Sequence, residues 1–175
     1  MKWRLEMAIY ELTLAQPEEF SQCMDILHGG REFQRSQGFV QWPDGYPDED
    51  TVRADIENGV GYVLKVDGDI AAYLYIGFDG DPAYPDIKGA WRYAEPYAVV
   101  HRIAIGEAFR GQGMASVVFQ MVEKFAAEHG VYVLRIDTDE QNKRMQHVLE
   151  KNGFACCGTV VQGGGDRLAF DKKIQ

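Results

Sequence analysis

The sequence predicts a single mixed α/β domain, in which helices cover a sheet that contains both antiparallel and parallel strands. The length of 175 residues suits one domain, taken here as residues 1–175. Two alternating apolar runs flank an Asp-Gly pair, which is typical of an antiparallel hairpin. Later, a strand pattern, a helical pattern and a second apolar strand follow one another and indicate a central strand–helix–strand unit.

The first third of the chain predicts mainly helices. In order, the expected elements are a first strand or irregular entry (3–10), a helix from Pro17, an irregular segment with two prolines (41–50) and a short helix (51–58). The pair Gly29-Gly30 is expected to end or interrupt the first helix, because glycine lowers helix stability.

The rest of the chain alternates between strand and helix patterns. We predict strands at 61–66, 70–78, 97–105, 131–137, 154–161 and 167–172, and helices at 113–128 and 142–151. The strand at 131–137 is mostly apolar, so we expect it to be interior and parallel to its neighbour. The last two strands form a C-terminal hairpin around three glycines. The loop at 79–96 is longer than a connection requires, which indicates a binding role or an interface.

Strict alternation along residues 97–105 predicts which side chains share a face of the sheet. It places Val99, His101, Ile103 and Ile105 on one face, and it places the intervening residues, Arg102 among them, on the other.

Composition and charge exclude several classes of function. Hydrophobic residues make up 46% of the chain, but no run is long enough for a membrane span and no apolar leader is recognisable. We therefore expect a cytoplasmic protein with no membrane association. The formal net charge of −9 argues against nucleic acid as a partner and favours a cationic substrate. Three cysteines without metal-ligand spacing predict neither a disulfide framework nor a metal site.

One segment between a predicted strand and a predicted helix indicates an anion site: Arg110-Gly111-Gln112-Gly113-Met114-Ala115-Ser116. Helix N-termini present unpaired N–H groups, and glycines let a phosphate approach the backbone closely. The Lys-Ser/Thr pair of a P-loop is missing after Gly113, and the position late in the chain does not suit a dinucleotide fold. A plain tight turn remains the alternative at this point.

Three motifs together resemble the GNAT (Gcn5-related) N-acetyltransferase superfamily. Arg110, Gly113 and Ala115 match its Gln/Arg-x-x-Gly-x-Gly/Ala signature. The run from His101 to Ile105 is similar to the family's fourth strand, and the segment 142–154 is similar to its last helix and Gly-Phe exit.

The resemblance implies transfer of an acetyl group from acetyl-CoA to a primary amine, on a small-molecule acceptor, by direct attack in a ternary complex. The backbones of Ile103 and Ile105 would pair with the pantetheine arm, the amides of residues 110–116 would hold the pyrophosphate, and Asn142 would contact the cofactor. The Ile105 N–H would polarise the thioester carbonyl as an oxyanion contact. Dimers are frequent in the superfamily, so a homodimer is also expected as an assembly.

Proton transfer cannot be copied directly from the family. Where many relatives place a tyrosine as general acid, this sequence has Leu149. We expect His101 to be the general base, since its reference pKa lies near neutrality, although a histidine that only packs the strand is the open alternative.

The acceptor pocket is expected among aromatic residues. Trp42 and Tyr46 would receive the amine, and Tyr97 is a weaker candidate for the same role. Two other functions stay open: a protein or peptide N-acetyltransferase, and a CoA-binding regulatory protein without catalysis.

Overall fold

A computed structural model describes residues 7–175. Most of the strand predicted at residues 3–10 lies outside the described residues, and the first described strand begins at Tyr10. The strands are β1 (Tyr10–Leu14), β2 (Gly61–Val66), β3 (Asp69–Gly77), β4 (Lys88–Gly89), β5 (Tyr97–Ile105), β6 (Val133–Thr138), β7 (Ala155–Gln162) and β8 (Gly165–Lys173). The helices are α1 (Phe20–Ser36), α2 (Glu49–Glu57), α3 (Met114–Glu128) and α4 (Lys143–Lys151).

All eight strands belong to one sheet in the order β1-β2-β3-β5-β6-β8-β7-β4. Strands β5 and β6 run parallel, as the sequence predicted, and the other pairings within residues 7–175 are antiparallel. The parallel pairing is short, because it joins only Tyr97–Val99 to Val133–Arg135. Beyond Val99 the two strands separate, and their backbones open a cleft in the middle of the sheet.

The predicted alternation along β5 is wrong beyond His101. Between the partner pairs Tyr75–His101 and Tyr73–Ala104, strand β5 has one more residue than β3, which defines a β-bulge. Arg102 lies in this bulge with a φ of 51°. The extra residue resets the alternation, so His101 and Ile103 lie on opposite faces instead of sharing one.

Apolar side chains cover both faces of the sheet. Helices α3 and α4 pack on one face, where Val118, Phe119 and Leu149 join Val100 and Leu134 in the largest cluster. On the other face, α1 and α2 contribute to a second cluster that includes Leu27, Val52, Tyr73 and Ala104. The cleft between β5 and β6 therefore lies in a sheet that has helices packed on both faces.

Helix α1 passes through Gly29 and Gly30 without interruption, so the expectation of a break there is wrong. A Cβ at Gly30 would lie 3.0 Å from the Cβ of Ala104 and 3.3 Å from the Trp42 ring. The glycine therefore serves close packing of α1 on the sheet, which offsets its low helix propensity.

The long loop at 79–96 is ordered by contacts with the C-terminal half. Arg92 bonds to Asp171 through both its amide and its guanidinium, with the Nε atom 2.6 Å from Oδ1. The Trp91 ring donates a hydrogen bond to the Tyr84 carbonyl. The guanidinium of Arg135 lies over the rings of Trp91 and Tyr97. These contacts hold the loop against the cleft. Among the described helices, none is long and apolar enough to cross a bilayer.

Candidate active site

Two adjoining cavities lie where β5 and β6 separate. The first, about 240 Å³, reaches the start of α3 and is called the Gly-rich cavity after Gly111 and Gly113 in its wall. The second, about 380 Å³, is called the acidic cavity after Asp81 and Asp137. Both cavities share Gln34, Ile103, Asn142 and Met145, so they form one continuous groove.

The Gly-rich cavity presents an open backbone to a ligand. Gly111 and Gly113 adopt left-handed φ values of 74° and 71°, and no atom lies within 4 Å of where their Cβ atoms would be. Gly113 is the N-cap of α3, and the first intrahelical bond of the N-terminus is donated by Val117. The N–H groups of residues 114–116 therefore remain available to an anion at the positive end of the helix dipole.

Two arginines add positive charge to this cavity. The guanidinium groups of Arg110 and Arg144 lie 4.7 Å and 5.1 Å from the centre of the Phe33 ring in α1. Arg110 also donates from Nε to the carbonyl oxygen of Ile105, at 3.3 Å. A Cβ at Gly29 would lie 3.2 Å from the Arg110 guanidinium, so this glycine makes room for the arginine. Helix amides and arginines together match the needs of a pyrophosphate.

The remaining residues predicted to bind cofactor divide into two groups. Met114, Ala115, Ile103, Ile105 and Asn142 line the Gly-rich cavity together with Arg110, Gly111 and Gly113. Gln112 and Ser116 are absent from its described wall: Gln112 donates to the Ala108 carbonyl, and the Ser116 hydroxyl accepts from Asn152.

Asn142 has structural partners besides its place in the groove. It caps α4 by accepting from the Met145 amide, and its Nδ2 donates to Gln41 Oε1 at 3.1 Å. Ile105 pairs with Ala72 of β3, whereas Ile103, which follows the bulge, borders both cavities. The backbone at Ile103 is therefore nearer than that of Ile105 to the point where the cavities meet.

His101 lies between two carboxylates in the acidic cavity. Its Nε2 atom is 2.7 Å from Asp81 Oδ2, and its Nδ1 atom is 3.8 Å from Asp137 Oδ2. The Tyr84 hydroxyl donates to the same Asp137 oxygen at 2.7 Å. Gln162, from the end of β7, donates to Asp81 Oδ2 at 2.8 Å. The histidine is therefore part of a polar network and is 21% exposed.

The pKa values of the two carboxyl groups, Asp81 and Asp137, are shifted in opposite directions. Burial opposes ionisation of Asp81, but hydrogen bonds from His101 and from the Ala83 amide outweigh it, so the pKa of Asp81 is lowered. Burial dominates at Asp137 and raises its pKa, although His101 and Tyr84 act against this shift. Such opposed pairs of titratable groups are common in active sites.

The arginines of the acidic cavity are neutralised by their own partners. Arg102 binds Asp55 in bidentate fashion, with distances of 3.0 Å and 2.6 Å, and the Tyr73 hydroxyl completes the Asp55 site. Burial disfavours the Arg102 charge, but Asp55 outweighs it and raises the arginine pKa. Arg167 pairs with Asp139 at 2.9 Å. Neither arginine forms an ion pair with Asp81 or Asp137, and the charge of Arg167 affects the pKa of Asp137 less than burial, His101 and Tyr84 do.

Of the three residues predicted to bind the acceptor, two line the acidic cavity and one does not. Trp42 and Tyr46 line the acidic cavity, and the Tyr46 hydroxyl accepts from Arg102 at 3.2 Å. Tyr97 lies outside the described walls of both cavities, since its ring packs on Arg135. Leu149 is fully buried in the α3–α4 core, so this position offers no proton donor.

Sequence reasoning missed Asp81 and Asp137 as site residues. The loop at 79–96 was suspected of a binding role, but nothing in its pattern indicates which side chains turn inward. Asp137 stands near the carboxyl end of an apolar strand, a position where ligand-binding residues often occur in sheets with parallel strands. That signal was present in the sequence.

Comparisons with known proteins reveal the family to which this fold belongs. The sequence model described as the acetyltransferase (GNAT) family matches residues 27–154. A GNAT-family acetyltransferase structure from Streptococcus agalactiae 2603 is 35% identical, with a TM-score of 0.87 over 95% of this chain and 96% of that one. No curated protein matches the sequence significantly.

More distant structures share the fold. A GNAT-family acetyltransferase from Listeria monocytogenes 4b F2365 is 20% identical, with a TM-score of 0.75 over 96% of this chain and all of that one. The aminoglycoside acetyltransferase AAC(6')-Ib, in complex with coenzyme A and kanamycin, is 18% identical, with a TM-score of 0.68 over 94% and 95% of the two chains. The chain belongs to the GNAT family of acetyltransferases and uses acetyl-CoA as its cosubstrate.

Proposed function

We propose that the protein transfers the acetyl group of acetyl-CoA to a primary amine of a small molecule, with His101 as the general base. The observation that carries this proposal is the position of His101, which Asp81 holds in the acidic cavity two residues before the groove-lining Ile103. A base in this position can serve an amine that approaches the groove from the acidic side.

The Gly-rich cavity fits the cosubstrate. Its helix amides and the guanidinium groups of Arg110 and Arg144 suit the pyrophosphate. The separated backbone of β5 would pair with the pantetheine arm near Ile103 and Ile105, beside Asn142. The acetyl group would then reach the border of the two cavities, where a backbone N–H after the bulge can stabilise the developing oxyanion.

His101 accepts the proton that the substrate must lose before it can react. An alkylammonium must lose one proton before it can attack, and Nδ1 of His101 is the acceptor, since Nε2 is bonded to Asp81. The new N–C bond then forms while the C–S bond breaks. The amine loses a second proton, and the departing thiolate of CoA takes one up. No covalent enzyme intermediate is involved.

The size and the walls of the acidic cavity favour a small acceptor over a peptide. Trp42 and Tyr46 wall one side, and Gln162 and Gly163 of the β7–β8 hairpin wall another. A volume of about 380 Å³ suits a compact amine. A protein or peptide acceptor remains the second candidate, and a CoA-binding regulatory protein without turnover is the third.

Release of free CoA thiol with a panel of amines, amino acids and peptides tests the proposal. We expect turnover with small amines, and His101→Ala should lower kcat/KM at least tenfold. His147→Ala, an exposed histidine on α4, is the matched control and should leave kcat/KM unchanged. Turnover restricted to peptides would favour the second function, and CoA binding without any turnover would favour the third.

A further inference from the structure

We infer that the acceptor carries a second positively charged group, which is not acetylated and which the Asp137 carboxylate holds inside the acidic cavity. This inference rests on the amine transfer proposed above. It names the substrate class as diamines or amines with another cationic group.

The charges of the acidic cavity do not balance without such a group. The acidic and basic side chains in its lining are those of Asp81, His101, Arg102, Asp137 and Arg167, and the phenol of Tyr46 is also titratable. Each arginine has a carboxylate partner of its own outside this set. Two aspartates therefore face a single histidine.

Asp137 is built to meet a ligand. Its side chain is only 7% exposed, and it lies in the wall of the cavity. Oδ2 accepts a hydrogen bond from Tyr84, whereas Oδ1 has no hydrogen bond from any described residue. Because Asp137 lines the cavity and its Oδ1 atom has no protein donor, a bound ammonium group can donate to that oxygen.

With an acceptor that has only one amine, the acidic cavity keeps a net negative charge throughout the reaction. Before attack, the substrate ammonium is the only charge that offsets Asp81 and Asp137 while His101 is neutral. After the proton moves to His101, the imidazolium offsets Asp81, and the acetylated nitrogen is uncharged. One of the two aspartate charges is therefore uncompensated in both states. A second, unreacted cation neutralises the cavity throughout, so it should favour binding and attack alike.

A proton on Asp137 is the competing way to balance the cavity. Burial raises the pKa of Asp137 and works in this direction. Acceptor selection distinguishes a protonated Asp137 from a bound second cation. A protonated, neutral Asp137 gives no preference for a doubly charged acceptor. Its replacement by asparagine would then leave the choice of acceptor unchanged.

The test compares putrescine with 4-aminobutanol, in which a hydroxyl replaces one amine on the same carbon chain. Both are assayed with acetyl-CoA at a pH where their amines are protonated. We expect the wild type to prefer putrescine at least tenfold in kcat/KM, well beyond the factor of two that its two equivalent amines supply. Asp137→Asn should abolish this preference, because kcat/KM for putrescine should fall much more than kcat/KM for 4-aminobutanol.

Two further variants isolate the carboxylate. Asp86→Asn removes the same charge from an exposed position on the loop that carries Tyr84 and should keep the putrescine preference. Tyr84→Phe removes the hydrogen bond to Asp137 but keeps its charge, so it should weaken the preference only partly. Circular dichroism and CoA binding confirm that each variant is folded.

Calorimetric binding of putrescine separates this inference from the proposed function. Putrescine binding that depends on Asp137, without turnover of any amine, would support the cation subsite and reject the acetyl transfer to amines. Equal turnover of putrescine and 4-aminobutanol by the wild type, or a preference that survives in Asp137→Asn, would overturn the inference and leave the proposed function standing. Absence of both binding and turnover would overturn both.

Discussion

The Nε2 atom of His101 lies 2.7 Å from the Oδ2 atom of Asp81, a residue of the long loop before β5. A carboxylate on one ring nitrogen places the proton there and leaves the other nitrogen free to accept. In this arrangement Nδ1, on the Asp137 side, becomes the basic atom. Asp81 is thus a positioning residue, since it acts on the substrate through His101.

Asp81→Asn tests this relationship. The amide can present either its oxygen or its NH2 group to Nε2, so the tautomer is no longer set and the imidazolium loses its countercharge. We expect kcat to fall at least tenfold while KM for the amine changes much less. Steady-state kinetics of the variant and of Asp79→Asn, an exposed acid in the same loop, provide the comparison. An equal fall of kcat in Asp81→Asn and Asp79→Asn would show that any lost negative charge in this loop has the same effect.

Asp137→Asn should increase stability near neutral pH even though it impairs acceptor selection. Burial raises the pKa of Asp137 in the folded state above its unfolded value, so ionisation of this acid costs stability. The cost is absent at pH values below the unfolded pKa, grows between the unfolded and the folded pKa, and is complete above the folded pKa. We expect the free energy of unfolding to rise by about 0.5–2 kcal/mol at pH 7.

Urea unfolding at several pH values measures this effect. The difference between wild type and Asp137→Asn should shrink as pH falls below the unfolded pKa. A variant that is less stable than the wild type at pH 7 would mean that His101 and Tyr84 compensate the charge fully.

Arg102→Met should destabilise the fold strongly. The arginine lies in the bulge of β5 and neutralises the buried Asp55. Loss of one partner leaves the other charge buried, which costs about 3–5 kcal/mol. Adding Asp55→Asn should recover part of this loss, because a neutral amide is cheaper to bury.

Denaturant unfolding of the single and double variants measures this coupling. Lys173→Met disrupts an exposed ion pair with Glu95 and should have a much smaller effect. Additive effects of Arg102→Met and Asp55→Asn would contradict a coupled pair.

Arg110→Ala tests the cosubstrate site. If Arg110 contacts the pyrophosphate, its loss should raise the Kd of CoA about tenfold, equivalent to about 1.4 kcal/mol. Binding of pantetheine, which lacks the phosphates, should change little. Calorimetry with both ligands measures the difference, and Lys124→Ala on the exposed part of α3 is the charge control. An equal loss for pantetheine would show that Arg110 acts through packing on Phe33.

Local patterns in the sequence were sufficient for the order of the helices and strands apart from β4, and for the Gly-rich turn before α3. The Gly-rich turn before α3 is contiguous in the chain, so residues 110–115 could be found together. The apolar strand at 131–137 was recognised as interior for the same reason, because burial on both faces leaves a continuous apolar run.

The catalytic arrangement depended on contacts between distant segments. The bulge at Arg102 places the residues that follow it on the opposite faces of the sheet. The identity of Arg102 does not predict this bulge. Asp81 and Tyr84 reach His101 from the loop at 79–96, which contacts of Arg92 and Arg135 hold against the sheet, whereas Asp137 comes from β6.

The sequence by itself therefore determined the family, the cosubstrate and the strand that carries the histidine, because these depend on short-range periodicity and turn chemistry. Only the tertiary structure decided which acids surround His101 and that Tyr97 lies outside the groove. Those outcomes follow from long-range packing and from the separation of β5 and β6, which bring together residues that are far apart along the chain.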